Sequence, residues 1–448
     1  MQASPPDRAA ARSTEAVLSW GRYPRLVHRV VHKPAWHDEL PEILRSAASG
    51  SLLPFGLGRS YGDSCLNGGR DLIDCRRLDG FLGFDESTGV LRCEGGVSLR
   101  DIIEVVLPRG WFLPVTPGTS FVSVGGAIAN DVHGKNHHCA GTFGAHVRQI
   151  ALHRSDTGLL CCSAGENPDM FRATIGGLGL TGVIVWADVQ LKRVSGPWIA
   201  SESIPFNSLT TFLDLSHASN DRFEYTVAWV DCFSGKRVRG VFFRGNHASD
   251  SPRRKFRPSH GPTVPVALPE WVLNRWSIRA FNDAYYAVHA RRKGPALEPY
   301  DAFFYPLDAI RQWNLLYGRQ GLLQYQCVIP QSHPEACEEL LERSARSGMG
   351  SFLGVLKQFG STPAAGMLSF PRPGLTIALD FPMRGERTLN LMRSFDQVVR
   401  ASGGALYPAK DARMSPDMFQ LSFPLWRDFT SYIDPGISSS FWRRVTAQ

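Results

Sequence analysis

Between residues 117 and 138 the chain passes abruptly from small residues to ionisable ones: Pro117-Gly118-Thr119-Ser120-Phe121-Val122-Ser123-Val124-Gly125-Gly126-Ala127-Ile128-Ala129-Asn130-Asp131-Val132-His133-Gly134-Lys135-Asn136-His137-His138. This pattern reads as a ligand-binding loop. Gly125 and Gly126 lack a Cβ, so backbone there can approach a ligand, take positive φ and leave N–H groups free to hold anionic or carbonyl oxygens. Asp131, His133, Lys135 and His137 then set proton donors and acceptors beside whatever is held. The same residues also suit a turn entering a core helix whose histidines are satisfied internally.

A chain of 448 residues is long enough for two domains with cores of their own. Its formal net charge of +8 suits anionic lipid headgroups, a phosphorylated substrate or nucleic acid without distinguishing them. Nine cysteines without a Cys-x-x-Cys pair argue against a disulfide framework or zinc ribbon and favour a reducing compartment. Residues 1–17 mix Asp7 and Glu15 with arginines and contain no apolar core of a secretory signal. No apolar run approaches the roughly 18 residues that span a bilayer. The expected location is cytoplasmic, either soluble or peripheral at the inner face of the membrane.

Along the chain, strands are predicted over residues 26–31, 52–58 and 72–74, with a short helix over 39–48. The second strand runs into a glycine loop, Gly56-Leu57-Gly58-Arg59-Ser60-Tyr61-Gly62-Asp63. Hairpins are predicted for 81–84 with 90–93 and for 150–153 with 159–162, and Ser98 caps a helix reaching residue 107. A short helix over 169–174 precedes a G-x-G-x-x-G match at Gly177 to Gly182, and a strand over 183–191 follows. A dinucleotide fingerprint needs the strand first and the helix second, so this match is set aside.

A composition shift at Val194-Ser195-Gly196-Pro197 marks a domain boundary. Beyond it come strands over 223–230, 238–243, 321–329, 352–359 and 374–381, with helices over 334–347 and 386–401. This order suggests an antiparallel α+β domain. Two segments are basic: 236–257, with Arg253-Arg254-Lys255, and 271–293, where Trp271, Trp276, Phe281, Tyr285 and Tyr286 alternate with arginines. Such mixtures suit a membrane interface, and equally a solvated loop beside a core helix.

The two glycine loops, the run His133-Gly134-Lys135-Asn136-His137-His138, and the phrases Leu323-Gln324-Tyr325-Gln326, Leu368-Ser369-Phe370-Pro371 and Ala409-Lys410-Asp411 together carry a resemblance. Nearly end to end, the chain resembles the decaprenylphosphoryl-β-D-ribose 2′-oxidase family, within the vanillyl-alcohol oxidase / p-cresol methylhydroxylase superfamily of flavoenzymes. The resemblance implies an α+β, two-domain flavoprotein. Its FAD-binding domain, of p-cresol methylhydroxylase type, would be bipartite: residues 1–195 plus a returning C-terminal part, 405–448. These would enclose an antiparallel-sheet substrate domain with helices over 196–404.

For the cofactor, the resemblance implies Gly56, Gly58, Arg59, Ser60, Tyr61, Gly62 and Asp63 in the first loop, and Gly118, Ser123, Val124, Gly125, Gly126, Asn130 and His133 in the second. Ile184 and Tyr407 complete the set. Many superfamily members bind FAD covalently through His or Cys; Tyr61, with no histidine beside it, implies noncovalent FAD, with His133 and Cys65 the residues that could contradict this. Lys410 is the first candidate for positioning the reacting hydroxyl, because a buried lysine of lowered pKa can accept a proton. His133 and Tyr61 are candidates for proton relay or flavin contact.

Gln324 and Gln326, two apart on one strand, would share a face and bind sugar hydroxyls. Lys357, Trp229, Phe304 and Lys135 complete the implied substrate set. His133 and His137 have the i, i+4 spacing of zinc ligands, but no third ligand is evident and the family uses no metal, so none is expected.

The implied reaction is oxidation of the 2′-hydroxyl of a polyprenyl-phosphoryl ribose, after which a separate short-chain reductase completes epimerisation to arabinose. The alternatives are an FAD-dependent oxidase of another sugar or polyol, and a basic membrane or nucleic-acid binder, which the modest net charge supports poorly. One departure stands out. Family members known as drug targets carry Cys after Gly-Trp-Asn-Ile, whereas this chain reads Gly374-Leu375-Thr376-Ile377-Ala378. Ala378 cannot form the covalent adduct that activated nitroaromatic inhibitors make there.

Overall fold

The computed structural model describes residues 17–249, 261–292 and 294–446. The Arg253-Arg254-Lys255 triplet and nearly all of the N-terminal segment read for signal content lie outside the described residues. Strands β1 (Val31–His32), β2 (Pro54–Phe55) and β3 (Leu72–Asp74) form a parallel sheet in the order β1-β3-β2. The strands predicted over 26–31 and 52–58 are thus cut to two residues each. Their shared partner β3 is only three residues long, and extended backbone without a partner is not a strand.

β4 (Phe81–Asp85) and β5 (Val90–Glu94) make the expected hairpin, its turn closed by Asp85 Oδ1 accepting from the Ser87 N–H at 2.8 Å. The helix Leu99–Val106 starts where Ser98 Oγ accepts from the Asp101 N–H, and Leu99, Ile102, Ile103 and Val106 form its buried stripe. β6 (Trp111–Phe112) later pairs with β10 (Lys192–Arg193). β7 (Val147–Arg154), β8 (Gly158–Ser163) and β9 (Val183–Gln190) join the hairpin in an antiparallel sheet of order β4-β5-β9-β7-β8. The helix Pro168–Thr174 precedes the glycines at 177–182 and β9 follows them, the reverse of a dinucleotide fold.

Eight further strands build one antiparallel sheet: β11 (Trp198–Phe206), β12 (Tyr225–Val230), β13 (Gly240–His247), β14 (Ala296–Pro299), β15 (Leu322–Ile329), β16 (Gly354–Phe359), β17 (Gly374–Pro382) and β18 (Ala405–Leu406). Their order is β14-β11-β13-β12-β16-β17-β15-β18. β17 is buried along its whole length. The helices Glu335–Ser347 and Glu386–Ala401 pack on each other and bury Leu340, Leu341, Leu391 and Phe395. The α+β architecture is therefore as expected.

β11 and the helix Leu209–Ser219 escaped the sequence reading. The basic-aromatic segment at 271–293 contains the helix Arg275–Ala290, capped by Asn274, which buries Ile278 and Asn282 and leaves Trp276 75% exposed.

The chain's end comes back to its beginning. From the helix Ser440–Thr446, Arg444 grips both oxygens of Asp63 at 2.9 and 2.7 Å and also reaches Asp411 at 3.0 Å. Both carboxylates are buried, so this fork joins the first glycine loop to the segment carrying Lys410.

Candidate active site

One cavity of about 880 Å³ lies between the two glycine-rich stretches, the face of β15 and the 407–410 segment. Every residue proposed for the cofactor borders it except Gly62, Asp63 and Val124, and so do Gln324, Gln326, Lys357 and Lys410. Glycine is required at two points. A Cβ on Gly56 would stand 2.4 Å from Ser123 Oγ, so the two stretches touch there. A Cβ on Gly62 would stand 1.8 Å from the Asp411 carbonyl oxygen, and next to it the Tyr61 N–H donates to Ala409 O at 2.9 Å. Gly62 and Asp63 thus hold Lys410's segment in place from behind the lining.

The reason expected for Gly125 and Gly126 needs correction. Neither takes positive φ; both lie in the helix Val124–Ala129, capped by Ser123. Their N–H groups are occupied, Gly125 by Gly95 O at 2.7 Å and Gly126 by Ser123 Oγ at 3.2 Å. Val124 is fully buried beneath them. The backbone left for an anion is in the first loop, where Gly58 takes φ +64° and the N–H groups of Gly58, Arg59 and Ser60 meet no acceptor among the described residues. The Arg59 guanidinium lies 4.2 Å over Trp20 and 5.1 Å from the Phe121 ring, with Nε donating to Phe121 O.

Gly118 and Ile184 line the cavity directly. Asn130 Nδ2 donates to Gly126 O, while its own carbonyl accepts from the Tyr407 hydroxyl at 3.1 Å. Asp131, read as a proton carrier, is a structural tie instead. At φ +40° its Oδ1 accepts from the Gly144 N–H and its Oδ2 from Ser369 Oγ at 2.5 Å. His137 Nδ1 accepts from the Gly360 N–H, and His138 Nε2 contacts Phe223 O at 3.0 Å. These two histidines brace the loop.

Two polar clusters face the cavity. In the first, His133 Nδ1 lies 3.0 Å from Lys357 Nζ and its Nε2 lies 3.0 Å from Gln326 Nε2. Burial, then the positive charges of Lys357 and Lys410, push the imidazole well below its ordinary range, so it is neutral. A neutral imidazole has one lone pair and cannot accept from both neighbours. Either Gln326 turns its carbonyl to Nε2–H, or Lys357 is an uncharged amine accepting from Nδ1–H. Burial pushes Lys357 down to about 7, which makes the second arrangement accessible near neutral pH. The cluster can therefore relay a proton.

In the second cluster, Lys410 Nζ stands 4.1 Å over the Tyr61 ring. Gln324 Nε2 lies 3.4 Å from Tyr61 Oη and 2.6 Å from Asp380 Oδ1. Burial pushes Lys410 down and Asp380 up, each opposed by the other's charge. Tyr61 is pushed well above its ordinary range by burial and stays a phenol. Asp380 had no role in the sequence reading; it faces Gln324 only because β15 and β17 pair them directly.

Three proposed substrate residues lie outside the cavity lining. Trp229 Nε1 donates to Phe352 O at 3.0 Å, and its ring lies 4.8 Å from Tyr285. Phe304 packs against Phe112 and Tyr225. Lys135 donates to Phe303 O and lies 4.4 Å over the Phe303 ring, and its charge helps depress Lys357. Ala378, the departure noted in the sequence, is in the cavity wall opposite Gln326.

Comparison with known proteins points the same way. A family model described as an FAD binding domain matches residues 28–162. Decaprenylphosphoryl-β-D-ribose oxidase of Mycolicibacterium smegmatis is 33% identical over 440 residues, covering 94% of this chain and 95% of that protein. Alditol oxidase of a Streptomyces species is 26% identical over 40% of this chain and 42% of its own length. A D-arabinono-1,4-lactone oxidase of Candida glabrata is 23% identical over 47% and 42%, respectively.

Proposed function

Because the chain belongs to the decaprenylphosphoryl-β-D-ribose oxidase family, and is thus an FAD-dependent oxidoreductase acting on sugar hydroxyl groups, we propose that it oxidises the 2′-hydroxyl of a polyprenyl-phosphoryl ribose to the 2′-keto sugar. The observation that carries this reading is the pair Gln324 and Gln326 on one face of β15, flanked by Lys410 and Lys357 in the cavity that also holds the glycine loops. The division into 1–195, 196–404 and 405–448, and the short-chain reductase that would complete epimerisation, belong to the same reading.

The residues present fit FAD. The first loop offers N–H groups without a partner among the described residues, positive φ at Gly58 and close approach at Gly56, in a cavity within the roughly 300–1,000 Å³ usual for such ligands. When bound, FAD supplies the acceptor for hydride from the sugar carbon. The chain's own groups orient the sugar through Gln324 and Gln326 and take up the hydroxyl proton at Lys410 Nζ. They keep His133 and Lys357 as a second proton route. Tyr61, held as a phenol, donates and accepts hydrogen bonds and is no base at neutral pH.

Synthetic polyprenyl-phosphoryl ribose is expected to bleach the flavin, and free alditols are not. Bleaching by alditols alone would favour oxidation of a soluble polyol and remove the lipid-linked proposal.

Noncovalent attachment is part of the proposal. Both His133 nitrogens are engaged by neighbours, and burial pushes the Cys65 thiol up to about 12, far from a thiolate nucleophile. Acid precipitation is expected to release all flavin into the supernatant; yellow colour held in the pellet would refute it.

No helix among the described residues is long and apolar enough to cross a membrane. Thr263, Ile310 and Arg311 line the cavity, and the same part of the chain exposes Val266, Trp271, Trp276 and Phe281. We place contact with an anionic bilayer there, at the membrane's inner face. Co-sedimentation with anionic vesicles, lost in a Trp271→Ser/Trp276→Ser double variant, is the expected result. Equal sedimentation of the variant would move the contact elsewhere.

A further inference from the structure

Asp380 is 0% exposed. It lies on β17 directly across from Gln324 on β15, so both side chains leave the same face of the sheet. Its Oδ1 accepts from Gln324 Nε2 at 2.6 Å, and its Oδ2 is buried with no hydrogen-bond partner among the described residues. A buried carboxylate left half-satisfied is costly, which points to a task other than stability.

Burial raises the Asp380 carboxyl pKa and the Lys410 charge opposes that rise; in its ionised form the carboxyl only accepts hydrogen bonds, and so is met by the amide nitrogen of Gln324 and not by its oxygen. The second hydrogen of that nitrogen points towards Tyr61 Oη at 3.4 Å. Gln324 Oε1 is thereby turned away. Among the described residues no donor meets it, and Gln324 borders the cavity.

We propose that Asp380 is a positioning residue of the oxidation: it locks Gln324 with its carbonyl oxygen facing the cavity, ready to accept from a sugar hydroxyl, and sets a negative charge close to the Lys410 ammonium. The part concerning the sugar rests on the substrate reading above; the part concerning Lys410 does not. Lys410 is faced by Asp380 from β17, Lys357 from β16, Tyr61 from the first loop and His133 from the second stretch. Asp380 is the negative charge acting on it. Burial favours loss of the Lys410 proton, and Asp380 opposes that loss.

Two substitutions separate the roles. Asp380→Asn keeps an oxygen for Gln324 Nε2 and removes the charge, whereas Asp380→Leu removes both. The holoenzyme, carrying lysine labelled at Cε, is titrated by NMR, with the Lys410 signal assigned by its loss in Lys410→Met. In Asp380→Asn the Lys410 midpoint is expected at lower pH by about one pH unit or more. Dissociation constants for synthetic polyprenyl-phosphoryl ribose are expected to rise about tenfold in Asp380→Leu, which frees the Gln324 amide to turn, and to rise by no more than that in Asp380→Asn, whose amide can pair with either end of Gln324.

An unmoved midpoint in Asp380→Asn would overturn the electrostatic role, and unchanged affinity in Asp380→Leu would overturn the locking of Gln324. The midpoint is read without substrate. A protein that binds no polyprenyl-phosphoryl ribose therefore fails the substrate reading and leaves the Asp380–Lys410 result standing by itself.

Discussion

Lys410→Met is expected to slow substrate-driven flavin bleaching by about 10²–10⁴-fold, the range removed with a positioned proton acceptor, while the flavin stays bound. Methionine is unbranched, one heavy atom shorter than lysine and keeps its apolar stem, so the cavity wall is largely preserved while the Nζ contact over the Tyr61 ring is lost. What is lost is a nitrogen able to change charge. Burial lowers the Lys410 pKa from its ordinary value, so its uncharged form becomes available nearer neutral pH than on a free lysine.

The direction in pH follows from that shift. A base acts when deprotonated, so the bleaching rate should rise with pH through the lowered Lys410 value and then level off. Lys410→Arg tests the alternative that only charge matters, since arginine stays protonated throughout. If the arginine variant keeps more than about a tenth of wild-type rate, Lys410 is not the base. If the methionine variant is as fast as wild type, the 407–410 segment takes no part in the chemistry, and His133 with Lys357 would carry the proton instead.

Lys410 also shows what can be read from a chain alone. Its phrase, Ala409-Lys410-Asp411, is identifiable in sequence, and so are the local features: the hairpin closed by Asp85, the Ser98 cap, and the reversed order around the 177–182 glycines. Each depends on neighbours within a few residues. Asp380 has no such local signal. Its meaning comes from β15 and β17 pairing in one register, and a slip of one residue would turn it to the other face.

Gly125 and Gly126 fail in a different way: glycine is compatible with both positive φ and close helical packing, and only the Gly95 carbonyl 2.7 Å from Gly125 N decides between them. Asp131 is similar. In a row of ionisable residues it looks chemical, but its carboxylate is consumed by Gly144 and by Ser369, which is remote in sequence. Strands at 26–31 and 52–58 were overextended because propensity does not report the length of the partner strand.

Arg444→Met is expected to destabilise the folded protein by about 3–5 kcal/mol, the cost of removing one partner from a buried ionic cluster. Asp63 and Asp411 have side chains only 5% and 6% exposed, and Arg444 forms ion pairs with both. Asp411 also accepts from the backbone N–H groups of Arg413 and Met414, so it cannot swing out to water without unravelling the turn after Lys410. Even with the arginine present, burial raises the Asp63 pKa, and the Arg444 hydrogen bonds only partly offset this. Without it, the Asp63 carboxyl must rise further.

A carboxyl whose folded pKa exceeds its unfolded one binds more protons when folded, so its penalty is full at high pH and fades as pH falls through the folded value. The gap in denaturant midpoint between wild type and Arg444→Met should therefore be largest near neutral pH and narrow on acidification. A gap independent of pH would mean that lost packing of the arginine stem, not unpaired charge, accounts for the effect. Because the same fork holds the segment bearing Lys410, flavin affinity should fall together with stability in this variant. In Lys410→Met, whose side chain takes no part in the fork, bleaching should be slowed while the flavin stays bound.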